Sequence, residues 1–124
     1  MKLETAKRLH DAAQACAELQ EITADRTKEE FLAERLRKLA VWKLIEVVGE
    51  ALRQAEMIDD SLNRSIPDLR QIVDTRNRIA HGYDDSVNFS LLWDIVQDEI
   101  PPLHVTLETL LLDAPDISGG KNPK

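Results

Sequence analysis

"TKEEFLAERLRKLAVWKLIEVVGEALRQA", residues 27–55, decides the fold class. It opens with the pattern of a capping box: the Thr27 hydroxyl can accept the amide of Glu30, whose carboxylate reaches back to the Thr27 amide. No proline follows, and the only glycine is Gly49. The spacing predicts one long helix from about Lys28 to Ala55. Its apolar residues cover more than one face, with Leu32, Leu36, Leu39 and Ala40 joined by Val41, Leu44, Ile45, Val48 and Leu52. A helix apolar this far round is central in a bundle or lies against another subunit.

The neighbouring segments share this helical character. Upstream, Leu3, Ala6, Leu9, Ala13 and Cys16 recur at helical spacing between about Lys2 and Ala24. Downstream, "IDDSLNRSIP" (58–67) reads as a connection. Ser65 is expected to cap a third helix, with Pro67 in its first turn, ending at Gly82, where a left-handed cap residue belongs. Asp85, Ser86 or Asn88 would cap a fourth helix through "FSLLWDIVQDEI". Pro101-Pro102 should break it, because the residue before a proline avoids the helical region. "PLHVTLETLLL" supplies a fifth segment. The expected architecture is an all-α, up-and-down bundle of four to five helices over residues 1–113. Residues 114–124, "APDISGGKNPK", form a polar tail expected to be disordered.

A chain of 124 residues suits one domain. With 43% hydrophobic and 31% charged residues it reads as soluble and globular. The single cysteine excludes an intrachain disulfide, and "MKLETAKRLHDAAQ" lacks the apolar core of a signal peptide. No apolar run approaches the roughly 20 residues needed to span a bilayer. The expected location is the cytoplasm. The net charge of −7 argues against loose binding of nucleic acid, yet Arg64, Arg70, Arg76 and Arg78 cluster within a short segment.

That segment holds "RNRIAHGYD", residues 76–84. On a helical wheel of 100° per residue, Leu69, Ile72, Val73, Ile79 and Ala80 share one side, and Arg76 falls in the middle of that apolar arc. A guanidinium does not lose its charge, so it needs a partner there. Either Arg76 snorkels or pairs with Glu46 or Glu50, or the arc faces a cleft that receives an anion. Arg70, Asp74, Asn77 and His81 occupy the adjoining arc, with Asn77 and His81 one turn apart. His81, at a helix C-terminus, is a candidate proton shuttle, and Tyr83 adds a phenol. A fixed cation, an imidazole, an amide and a phenol suit phosphoryl chemistry without a metal. Taken alone, an arginine and a histidine five apart read as an ion-pair partner and a helix-end residue; the place of Arg76 in the apolar arc, with Asn77 and Tyr83 beside it, tilts the reading toward a site.

"RNRIAHGY" resembles the RxxxxHxY pattern of the HepT-like proteins in the HEPN superfamily, with Arg76, His81 and Tyr83 at the three pattern positions and Asn77 at the polar position after the arginine. "KLIEVVGEAL" (43–52) and "LLWDIVQDEIPPL" (91–103) are similar to that family's second and fourth helices, so the resemblance covers most of residues 1–113. It implies a HEPN-like bundle, a homodimer with the motif at a cleft between subunits, and a type II-like toxin–antitoxin ribonuclease. It further implies metal-independent RNA cleavage, silenced when a cognate MNT nucleotidyltransferase antitoxin transfers AMP from ATP onto Tyr83. In that reading Arg76 and His81 are catalytic, Asn77 and Tyr83 support them, and Arg70 and Arg78 contact RNA. The protein itself would need no cofactor and meet no membrane. The alternative is a non-catalytic HEPN module that binds or positions a partner nucleotidyltransferase or its nucleotide substrate.

Other features read as packing. None of His10, His81 and His104 has a glutamate three residues before it, as a carboxylate di-metal bundle requires. Cys16 on an apolar face belongs to a core. Trp42 and Trp93 read as packing anchors, and Glu46, Glu50 and Arg53 as a solvated or interface stripe.

Overall fold

The computed structural model describes residues 1–79 and 87–115, apart from the side chain of Arg76. Among these, helices form the whole of the regular structure: α1 (Leu3–Thr23), α2 (Lys28–Ala33), α3 (Arg35–Ile58), α4 (Leu62–Ser65), α5 (Leu69–Val73), α6 (Thr75–Ile79), α7 (Phe89–Asp98) and α8 (Ile100–Leu111). The all-α class is as expected. No described helix is long and apolar enough to cross a membrane.

The two long helices, α1 and α3, run antiparallel and form the spine. At one end Arg37 Nη1 donates to the carbonyl of Ile22, 2.7 Å away. At the other, the Asp59 carboxyl is held below its usual range, chiefly by the hydroxyl of Ser61, with the N-terminal amino group and Lys2 contributing. Between them Leu9, Leu19, Val41, Val48 and Leu52 are fully or almost fully buried. α8 closes on α1, where Gln20 Nε2 lies 2.9 Å from His104 Nδ1. Cys16 is buried in this core, and desolvation pushes its thiol up to about 12.

The long helix expected from Lys28 to Ala55 is two helices. The capping box forms: Thr27 Oγ1 accepts from the Glu30 amide at 3.1 Å and Glu30 Oε1 from the Thr27 amide at 3.0 Å. The helix then breaks at Glu34, whose backbone is extended (φ −105°, ψ 96°), and α3 continues to Ile58. No glycine or proline causes the break. Glu34 instead receives Arg26 Nε on both carboxylate oxygens, at 3.0 and 3.1 Å, and Arg37 Nε at 2.7 Å. The turn drives Phe31 wholly into the core, with its ring centroid 5.3 Å from that of Trp93 on α7. Burying a phenyl ring is worth about 1.5–3 kcal/mol, which offsets an interrupted helix ladder. Trp42 meets Phe89 edge-on at 6.0 Å, so both tryptophans serve as packing anchors.

The expected third helix is likewise divided. Ser65 ends α4 instead of capping a longer helix, and Pro67 lies in a turn outside any helix. Asp68 precedes α5 with a left-handed backbone (φ 60°, ψ 27°), a conformation aspartate tolerates better than most residues. Asp74 (φ −85°, ψ 9°) separates α5 from α6. The fourth helix is capped by Asn88, whose side chain accepts from the Leu91 amide at 3.0 Å. A break does occur before Pro101-Pro102, but at Glu99: Ile100, expected to end the fourth helix outside the helical region, is instead the first residue of α8, and the prolines follow in its first turn, where their missing N–H is harmless. The C-terminal tail from residue 116, like the expected cap at Gly82, lies outside the described residues.

Candidate active site

The motif begins on α6. This helix is a single turn, too short to be stable by itself, so its position comes from its neighbours. Among its described side chains, Thr75 and Ile79 are buried. Thr75 Oγ1 donates to the carbonyl of Ile72 at 2.6 Å, tying α6 back to α5. The backbone of Arg76 lies on α6; its side chain is outside the described residues, as are His81 and Tyr83 whole. The expected contact between Asn77 and His81 therefore lies outside them too.

Three predicted site residues are described in full. Asn77 is exposed, and its Nδ2 donates to Asp74 Oδ1 at 2.6 Å. Arg70 pairs with Glu56 of α3, but its side chain remains 70% exposed, against 11% for Glu56. Glu56 is largely buried and also accepts from Asn63 Nδ2 at 2.7 Å, whereas the guanidinium of Arg70 faces solvent and is open to a further anion. Arg78 is placed differently. Its two terminal nitrogens donate in parallel to the two oxygens of Glu99, at 2.9 and 2.8 Å. The bond to Glu99 holds the Arg78 proton more firmly than usual, against partial desolvation.

Asp68, Arg70, Gln71, Asp74 and Arg78 surround an open depression of about 750 Å³ on this face. The continuous arc expected to carry Arg70, Asp74, Asn77 and His81 is interrupted at Asp74, so Arg70 and Asn77 stand on separate helices. Among the described residues no group of three or more His, Cys, Asp or Glu side chains gathers closely enough to hold a metal ion. Arg53 reaches Glu50, with 2.8 Å between Nη2 and Oε2, as an exposed pair on α3, in line with a solvated stripe.

Glu99 is the participant that the sequence did not announce. Its only local signal is an acidic residue just before a Pro-Pro helix break, and its partner lies 21 positions away. The backbone amide of Asn88 likewise donates to the carbonyl of Ile79 at 2.8 Å, closing the chain between α6 and α7.

A family model described as "Ribonuclease HepT-like" matches residues 12–110, a range that contains the motif and every helix from α2 to α7. A Thermococcus cleftensis protein named "Probable ribonuclease HepT" is 30% identical over 102 residues, covering 82% of this chain and 91% of that protein. A Methanocaldococcus jannaschii protein named "Putative RNase MJ1380" is 28% identical over 102 residues, covering 81% of this chain and 90% of that protein. No solved structure matches.

Proposed function

The chain belongs to the HepT-like ribonuclease family and is an endoribonuclease; from that premise we propose that it is a metal-independent toxin acting through Arg76 and His81. The observation that carries this reading is the place of the motif. Residues 76–83 fall inside the matched range, and the first turn of the motif is held at the surface with Asn77 exposed, beside the depression bordered by Arg70.

The side chains set the chemistry. The ribose 2′-oxygen attacks phosphorus while its proton passes to a base, the bond to the 5′-oxygen breaks, and the leaving oxygen takes up a proton. The products are a 2′,3′-cyclic phosphate and a 5′-hydroxyl. His81 serves as general acid or base, since its ordinary pKa lies near neutrality. Arg76 holds the non-bridging oxygens and stabilises the charge that grows on them. Asn77 orients the phosphate or His81, Tyr83 assists, and Arg70 steadies the RNA backbone.

The toxin is controlled by a cognate nucleotidyltransferase antitoxin that uses ATP to place AMP on Tyr83. Tethered phosphate then competes with RNA for Arg76 at high effective concentration, and its charge repels the substrate. The protein acts as a homodimer. Support comes from the apolar surface left on α3, where Leu36 is 82% and Met57 73% exposed and Leu44 and Val47 are only partly buried.

The test is RNA cleavage in EDTA by wild type, Arg76→Ala and His81→Ala, each verified as folded. Cleavage by the wild type and its loss in both variants is expected. Full cleavage by folded His81→Ala would overturn the mechanism. A wild type that leaves RNA intact but binds the nucleotidyltransferase would be the non-catalytic module.

A further inference from the structure

The short helix that carries Arg76 is fastened to α7 at both ends of that helix. At the N-terminal end of α7, the Asn88 amide donates to the Ile79 carbonyl at 2.8 Å, so the chain leaving α6 returns to it. At the C-terminal end stands Glu99. Its amide donates to the Ile95 carbonyl at 2.8 Å and fixes its backbone as the α7 cap. Its carboxylate takes the two-pronged guanidinium of Arg78. Arg78 lies two residues after Arg76 and three before His81.

We propose that Glu99 and Arg78 are positioning residues for RNA cleavage: their parallel hydrogen bonds set the orientation of α6, and so of the Arg76 backbone on it. This rests on the ribonuclease reading above. Three features carry it. First, two parallel hydrogen bonds constrain direction as well as distance, which a single contact does not. Second, both side chains are largely covered, 23% and 28% exposed, unlike the exposed Arg70. Third, α6 has one turn and is joined to α5 only around Asp74, by the Thr75 hydroxyl on the Ile72 carbonyl and by the Asn77 and Arg78 amides on the Asp74 carbonyl, all at its N-terminal end, so Arg78 supplies a fixing point farther along it. A partly buried ion pair roughly breaks even in stability against its desolvation, so its contribution is geometric. Arg78 is thereby engaged by protein instead of RNA.

Glu99→Gln retains the shape of the side chain and replaces one acceptor with a donor, so the two-pronged bond is lost. Steady-state cleavage of a fluorophore-quenched single-stranded oligoribonucleotide reads the effect. Misplacement by about 1 Å costs on the order of 100-fold in rate. The expected result for Glu99→Gln and for Arg78→Lys is a fall in kcat of about 10- to 100-fold with KM little changed. The exchanged pair, Arg78→Glu with Glu99→Arg, should regain part of the lost kcat. If Arg78 were an RNA contact, Glu99→Gln would free its charge and lower KM, and Arg78→Lys would raise KM. Either outcome overturns the proposal, as does an unchanged kcat in folded Glu99→Gln. Loss of fold in Glu99→Gln that the exchanged pair repairs without repairing kcat would also overturn it. An inactive wild type would remove the ribonuclease reading and the brace together; an active wild type matched by Glu99→Gln would remove the brace alone.

Discussion

Phe31→Ala should be among the most damaging single changes in this protein, because Phe31 is the residue for which the long helix breaks. Its ring is fully buried and sits 5.3 Å from Trp93 at an interplanar angle of 39°. Truncating a buried phenylalanine costs about 3–5 kcal/mol through lost transfer energy and the cavity left behind. At about 2.1 cal/mol/K of unfolding entropy per residue, 124 residues give about 260 cal/mol/K. A loss of about 4 kcal/mol then lowers Tm by about 15 °C. Thermal melts followed by circular dichroism supply the measurement, and tryptophan emission in a Trp42→Phe background, where Trp93 is the one emitter left, reports the site itself. Leu112→Ala is the control: that side chain is 81% exposed, lies off the apolar face of α3, and should change stability by no more than about 0.5 kcal/mol. A double-mutant cycle between Phe31 and Trp93 should give a coupling of about 0.5–1.5 kcal/mol. If Phe31→Ala melts within a degree or two of Leu112→Ala, Phe31 is not in the core. The break at Glu34 would then have no energetic reason.

Asn88→Ala removes the side-chain cap of α7 and should cost about 1 kcal/mol, or about 4 °C in Tm, while Asn88→Asp retains most of the stability; equal melts for the two would refute the cap. Burial pushes the Cys16 thiol up to about 12, so it should resist alkylation near pH 8 in the native state and react at the rate of unfolding; rapid labelling of folded protein would contradict its place in the core. Incubation with the cognate nucleotidyltransferase and ATP should add AMP mass and silence cleavage, and Tyr83→Phe should abolish the addition. Undiminished addition in that variant would show that another residue is the acceptor.

The helical class, the capping box at Thr27 and Glu30, the break before Pro101-Pro102 and the burial of Cys16 were all readable from the chain. Each rests on interactions within a turn or two, or on apolar periodicity, and such signals do not depend on what packs against them. The family motif was readable for a related reason: its residues are close together in sequence. Tertiary structure decided the rest. Nothing near Glu34 forbids a helix, and only the distant Arg26, the carbonyl of Ile22 reached through Arg37, and the place for Phe31 beside Trp93 make the break favourable. The wheel drawn through residues 65–81 assumed one rigid helix, and the turns at Asp68 and Asp74 rotate its parts independently. The pairing of Arg78 with Glu99 joins residues 21 apart across a helix break, and charge alone gives a sequence no means to choose that partner over Asp74 or Glu56. The choice is made by the packing of α7 against α6, which brings both oxygens of the Glu99 carboxylate within 2.9 Å of the guanidinium nitrogens.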